Sequence, residues 1–222
     1  MDLSQFDFLD FGGSKGASLR FGVKYFQGKR GLAIDNSAQK VTNMNEQGLD
    51  CLQADVTRLD LPPGAVRFVI MSHFLEHLPD LKSVRETIIS AARVATDFIF
   101  IQGPFFDEDD YLEELGLKLF YSDWTAHTCP LTTRQLSGIL ESQGLHNYEM
   151  RFTTPQLTDS TDSQFHPLSS KQNQHRYDPA IHPAKQEVIF SRPIYPEFTC
   201  TVLLKNLSYE VYRRPTTVLA NQ

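Results

Sequence analysis

The stretch that most constrains this chain is Phe6 to Gly16, which reads Phe-Asp-Phe-Leu-Asp-Phe-Gly-Gly-Ser-Lys-Gly. Phe6 to Asp10 is mostly apolar and partly aromatic, which predicts a short buried strand. The loop that ends it, Gly12-Gly13-Ser14-Lys15-Gly16, has three glycines in five positions. Glycine admits positive φ and lets another group approach the main chain closely. From Ala17 onward the residues suit a helix, whose first N–H groups have no partner within the helix and face whatever lies above the turn. Strand, turn and helix start together make a ligand cradle.

Spacing separates the ligands such a cradle serves. A phosphate loop of the Gly-x-x-x-x-Gly-Lys-Ser/Thr kind is absent after Gly12 or Gly13. The dinucleotide fingerprint Gly-x-Gly-x-x-Gly is also incomplete, since Gly12 is followed two positions later by Ser14, and Gly13 by Lys15. What remains, Asp10, Gly12, Ser14 and Gly16, resembles motif I of the class I S-adenosylmethionine-dependent methyltransferases. Ser14 stands where that family usually has its middle glycine, with Gly13 beside it.

Further positions extend the resemblance. Gly31 to Asp35 is an apolar run ending in a carboxylate 19 positions beyond Gly16, where one acid suits two neighbouring ribose hydroxyls; capping of the next helix with Asn36 or Ser37 is the alternative. Asp55-Val56 falls where the family places an acid and an apolar neighbour against the adenine. Val66 to Ser72 is a near-continuous apolar run of the central-strand kind, and it leads into Ser72-His73-Phe74-Leu75-Glu76-His77-Leu78, which resembles the motif IV end of small-molecule methyltransferases. The resemblance implies S-adenosylmethionine as cofactor, held by Asp10, Gly12, Gly13, Ser14, Gly16, Asp35, Asn36, Asp55, Val56, Ser72 and His73. Arg67 replaces the family's usual Asp at the start of this strand, and is expected to affect surface pairing only.

The alternation continues through a helix at Leu81 to Ala95, apolar at Leu81, Val84, Ile88, Ala91, Ala92 and Ala95, and a strand at Asp97 to Ile101. It predicts an α/β fold, a doubly wound, mostly parallel seven-stranded sheet with helices on both faces and an antiparallel last strand, in a single domain. Leu145 to Phe152 reads as the sixth strand and Phe198 to Lys205 as the antiparallel seventh, with the proline-bounded run at Glu187 to Ser191 demoted to an edge. Phe105 to Tyr111, acidic and aromatic, reads as a solvated loop and helix start. Residues 153–197 form an insert rich in polar turn formers and are expected to act as a substrate loop; residues 209–222 read as a tail.

Composition narrows the partners. A net charge of −6 with no run of Lys or Arg disfavours nucleic acid. No run approaches the roughly 18 apolar residues of a membrane span, and the first residues lack a signal-peptide pattern, so a cytoplasmic protein is expected. Cys51, Cys129 and Cys200 are far apart and read as small buried hydrophobes; no metal site is expected from cysteine or histidine spacing. The function expected is methyl transfer to a small polar acceptor, plausibly O-methylation of a sugar or glycan precursor, by a monomer or homodimer. His73, His77 and His127 are the candidates for a base, with a bond from His127 to a backbone carbonyl as the structural alternative. A non-catalytic module of the same fold is the competing function, and a nicotinamide oxidoreductase a more distant one.

Overall fold

The computed structural model describes residues 2–205, so the segment read as a tail lies outside the described residues. Its main sheet has seven strands in the order β3-β2-β1-β4-β5-β11-β7, where β1 is Phe8–Phe11, β2 Gly31–Asp35, β3 Cys51–Gln53, β4 Val66–Ser72, β5 Ala95–Pro104, β7 Tyr148–Phe152 and β11 Glu197–Leu203. β1 to β5 pair in parallel, and β11 runs antiparallel to both β5 and β7. Helices α1 (Ala17–Phe26), α2 (Ala38–Glu46) and α3 (Leu81–Val94) form the crossovers, as parallel pairing requires.

The expected fold class is the observed one. All four residues of β1 are buried, and its Phe8 stacks on Phe68 of β4, which stacks on Phe98 of β5, with centroids 4.7 and 4.8 Å apart. This ladder locks the register of three neighbouring strands on one face. α3 begins at Asp80, whose carboxylate accepts the Ser83 N–H at 2.7 Å. Arg67 pairs with Asp7 and Asp97 at 3.1 and 3.3 Å on the sheet's rim, a surface role as expected.

β5 runs longer than its apolar core predicted because β11 pairs with it from Phe98 to Pro104, supplying ladder partners beyond the apolar stretch. Strand order reverses across the β1–β4 pair, so the ligand crevice lies over the carboxyl ends of those strands.

The second half departs more from the expectation. The 153–197 insert, expected to act as a substrate loop, folds onto a separate cluster made by Phe105, Phe106, Leu112, Tyr121, Phe165 and Ile194, among others. β8 (Leu157–Asp159) pairs with β10 (Ile189–Ile194), and β9 (Phe165–Pro167) with β6 (Leu117–Leu119), each antiparallel. The Pro-containing run thus forms a strand of a small second sheet. Phe105 and Phe106, expected in a solvated loop, are buried and lead into α4 (Asp109–Glu114). Widely spaced aromatics give no periodic signal, yet each buries a large apolar area.

α5 (Thr133–Ser142) opens with a capping box in which the Thr132 hydroxyl accepts the Gln135 N–H and the Gln135 side chain accepts the Thr132 N–H. Gly138 lies exposed in its interior, with nothing within 4 Å of where a Cβ would stand. Gly138→Ala is therefore expected to stabilise the fold by about 0.5–1 kcal/mol, measured as a higher denaturant midpoint with an unchanged slope.

Candidate cofactor and acceptor site

The turn after β1 is held tightly. Gly12 has φ of 79° and Gly16 75°. A Cβ on Gly12 would lie 2.3 Å from the Phe74 ring, and one on Gly13 2.5 Å from the Ala33 Cβ. Gly12 N–H donates to the Ile34 carbonyl at 2.8 Å, tying the turn to β2. Ser14 takes a left-handed conformation, φ 47°, so the position where the resemblance calls for glycine has glycine-like backbone. Gly16 starts α1 without a side-chain cap and without an acid in the first turn, leaving the positive helix end open to an anionic or polar group.

Asp35 closes onto this turn. Its Oδ2 accepts the Ser14 N–H at 3.1 Å, its Oδ1 accepts the Ser37 N–H at 2.9 Å, and Lys40 Nζ lies 3.5 Å away. The carboxylate thus sits beside the glycines while also holding Ser37, the N-cap of α2. Asn36 is exposed next to it. Asp55 is half-exposed and caps a short 3-10 turn, accepting the Thr57 N–H at 3.0 Å, while Val56 beside it is buried.

Asp10 is the outlier of the group. Its side chain is fully buried, and neither oxygen has a hydrogen-bond partner. Desolvation, helped by the nearby Asp35 charge, pushes its pKa up to about 7, and the Ser18 hydroxyl offsets this only slightly without closing a bond. Native proteins seldom leave buried polar atoms unpaired. A polar ligand seated over the turn would answer this one, so the residues present fit a nucleoside cofactor with hydrogen-bonding groups.

Beyond β4 lies a second constellation. His73, exposed and with φ of 49°, sits between two carboxylates: Nδ1 is 3.6 Å from Glu76 Oε1 and Nε2 3.4 Å from Glu197 Oε1. Partial desolvation opposes its charge, but the Glu197 and Glu76 carboxylates outweigh it and raise its pKa to about 10. Gln102 Nε2 donates to Glu197 Oε2 at 2.6 Å. Ser72 ends β4 against Gln102 of β5. Glu76 and Gln102 line a small, partly open cleft together with Gly103, Phe106, Leu131 and Phe198 among others.

His77 and His127 meet from 50 residues apart, ring centroids 5.0 Å from each other. His77 Nδ1 donates to the Ala126 carbonyl at 2.8 Å and His127 Nδ1 to the Tyr121 carbonyl at 2.9 Å. Burial lowers the His127 pKa. The bond to a backbone carbonyl, the structural alternative for His127, is present.

A family model for a methyltransferase domain matches residues 9–96, from the glycine turn to the start of β5. Residues 9–96 are a class I methyltransferase domain. The cofactor of this methyltransferase is S-adenosylmethionine. No curated protein matches the sequence, but solved structures share its fold. A SAM-dependent methyltransferase from Archaeoglobus fulgidus is 17% identical with a TM-score of 0.59, covering 88% of this chain and 85% of its own. A SAM-dependent methyltransferase from Methanosarcina mazei is 13% identical with a TM-score of 0.55, covering 88% of this chain and 91% of its own. Magnesium protoporphyrin IX methyltransferase from Synechocystis, solved with SAH bound, is 12% identical with a TM-score of 0.50, covering 89% of this chain and 73% of its own. Among the described residues of the methyltransferase, no helix is long and apolar enough to cross a membrane.

Four residues of this site were not singled out as site residues from the sequence: Phe74, Glu76, Gln102 and Glu197. Phe74 covers Gly12, Glu76 and Gln102 line the cleft, and Glu197 meets Gln102 through the β5–β11 pairing. The only signal available for the last two was their position at the end and start of predicted strands, where a parallel sheet puts its ligands.

Proposed function

We propose that this methyltransferase transfers a methyl group to a hydroxyl of a small polar acceptor, with sugars and glycan precursors the class to test first. The observation that carries this reading is a pair of buried atoms at the cleft, Glu76 Oε1 and Gln102 Oε1, which have no hydrogen-bond partner. Gln102 has committed its amide N–H to Glu197, and a carboxylate can only accept, so both atoms call for a donor. A hydroxylated acceptor supplies donors and leaves no buried acceptor unpaired. The carboxylates of Glu76 and Glu197 would repel a phosphate, in keeping with the chain's net charge of −6.

S-adenosylmethionine supplies, when bound, a methyl already activated on a positively charged sulfur. The chain's part is then to seat the acceptor in line with it and to exclude water, which is positional work. His73 faces a carboxylate with each ring nitrogen and so serves to hold Glu76 and Glu197 in place. His77 and His127 have their Nδ1 protons committed to carbonyls, which leaves a lone pair on each Nε2 for a proton from the acceptor hydroxyl.

The test is label transfer from methyl-labelled S-adenosylmethionine to panels of hydroxylated, amino and carboxylate small molecules, with RNA and DNA alongside. Transfer to hydroxylated compounds is expected, and Gln102→Leu should raise KM for that acceptor about tenfold, the loss of one hydrogen bond to a buried group. Transfer to amines, carboxylates or nucleic acid alone would overturn the reading, and cofactor binding with no transfer to any panel would return the non-catalytic one.

A further inference from the structure

We infer that Glu76, His77 and His127 form a binding site for one divalent transition-metal ion of the borderline class, zinc or cobalt, at the wall of the cleft. One ligand atom from each of the three lies within 4.8 Å of the others. At metal–ligand bonds of about 2.0–2.2 Å the donors close to about 3.5 Å apart, so the three side chains must draw together on binding.

The orientation of the two imidazoles is the first argument. A carbonyl oxygen only accepts, so the bonds to Ala126 and Tyr121 place the proton of each ring on Nδ1. Nε2 of each ring is then an unprotonated donor. An imidazole whose far N–H is held by a backbone carbonyl is the arrangement that fixes a metal-binding histidine in tautomer and direction. Glu76 completes the set with a carboxylate that is 2% exposed and has one oxygen, Oε1, without a hydrogen-bond partner. His73 faces that oxygen as an ion pair at 3.6 Å, outside hydrogen-bond distance, so its charge is partly met while its lone pairs stay open to a ligand bond.

The second argument is the frame. The ligands come from two segments far apart in sequence, and three hydrogen bonds stitch these together. Besides His77 to Ala126, Cys129 N–H donates to the Glu76 carbonyl at 3.0 Å and the Thr128 hydroxyl to the Leu78 carbonyl at 2.7 Å. Phe106 and Trp124 stand edge-on to the His127 ring at 5.7 and 5.5 Å, which restricts its rotation. No sequence spacing announces this site, because the 121–131 loop brings His127 to the Glu76-His77 pair only in the folded chain.

Two imidazoles and one carboxylate suit zinc or cobalt, whereas magnesium and calcium prefer all-oxygen shells. Three protein ligands leave at least one position open. A bound ion would take the Nε2 lone pairs and the Glu76 oxygen that the acceptor reading above uses, so in the loaded protein the ion, and not a histidine, would activate the acceptor hydroxyl; the ion site itself does not depend on that reading.

The full chain, treated with chelator and dialysed, is titrated with cobalt(II) and followed by visible absorption. One equivalent should bind with a d–d band of a low-coordinate site, and zinc should displace it. Glu76→Gln and His127→Ala should each weaken cobalt binding about 100-fold or more. Circular dichroism and S-adenosylmethionine titration verify that each variant is folded; the near-isosteric Glu76→Gln keeps the test open if His127→Ala is not. Absence of a stoichiometric band, or a band unmoved in a folded Glu76→Gln variant, overturns the site. Stoichiometric, variant-sensitive binding in a protein that methylates no hydroxyl would uphold the site and sink only the acceptor reading.

Discussion

Gly12→Ala is expected to lower the affinity for S-adenosylmethionine by about 100-fold, equivalent to about 3 kcal/mol. Two costs combine. Gly12 has φ of 79°, where an L-residue with a Cβ loses about 1–2 kcal/mol. The new methyl would also stand 2.3 Å from Phe74 Cδ2 and 2.7 Å from Cγ, so the ring must swing or the turn must rotate. Either response misaims the backbone that faces the cofactor. Gly144→Ala is the comparison: it has φ of 72° but nothing within 4 Å of its Cβ. It should show the conformational cost in stability and leave the affinity unchanged. Calorimetric titration of both variants decides the matter, and a Gly12→Ala affinity within threefold of the parent would refute it.

The second large effect is on stability against pH. Asp10 has its carboxyl pKa raised to about 7 in the folded chain from 3.8. Below about pH 4 it is protonated in folded and unfolded states alike and contributes no pH dependence. Between about 4 and 7 the folded protein keeps a proton that the unfolded chain releases, so this residue makes stability fall as pH rises. Above 7 the loss levels off. About three pKa units correspond to a total of about 4 kcal/mol, large beside the 5–15 kcal/mol of an ordinary domain. In Asp10→Asn this slope should vanish, making the cofactor-free protein more stable than the parent at pH 8. Denaturant unfolding from pH 4 to 8 without cofactor would show it, and parallel curves for the two proteins would rule out the buried, unpartnered carboxyl described here.

What the sequence made readable is what depends on neighbours in the chain. The glycine turn after β1, the carboxylate that ends β2 and the apolar run of β4 each announce themselves within a dozen residues, because backbone conformation and burial on both sheet faces leave local signatures. The antiparallel β11 was legible from Phe198 to Leu203 for the same reason. What depends on distant pairing was not. Glu197 reaches His73 only because β11 lies beside β5, and Glu76 meets His127 only through a loop folded back across 51 positions. The cluster around Phe105, Tyr121 and Phe165 was hidden because its members occur singly among polar residues, with no period of two or of 3.6 to reveal a buried face. Asp35 was placed at the turn, but its grip on the Ser14 and Ser37 amides had no mark in the sequence.

The position of β11 carries a consequence for how the molecule assembles. Residues 197–203 fill the gap between β5 and β7, both synthesised earlier, so until that segment emerges two sheet margins stand with their ladders unmet. A nascent chain halted before Glu197 would carry a complete glycine turn yet lack one wall of the cleft, and its bare margins would invite association with neighbours. Quality control of this chain during synthesis therefore bears on its final strand more than on the motif at its start.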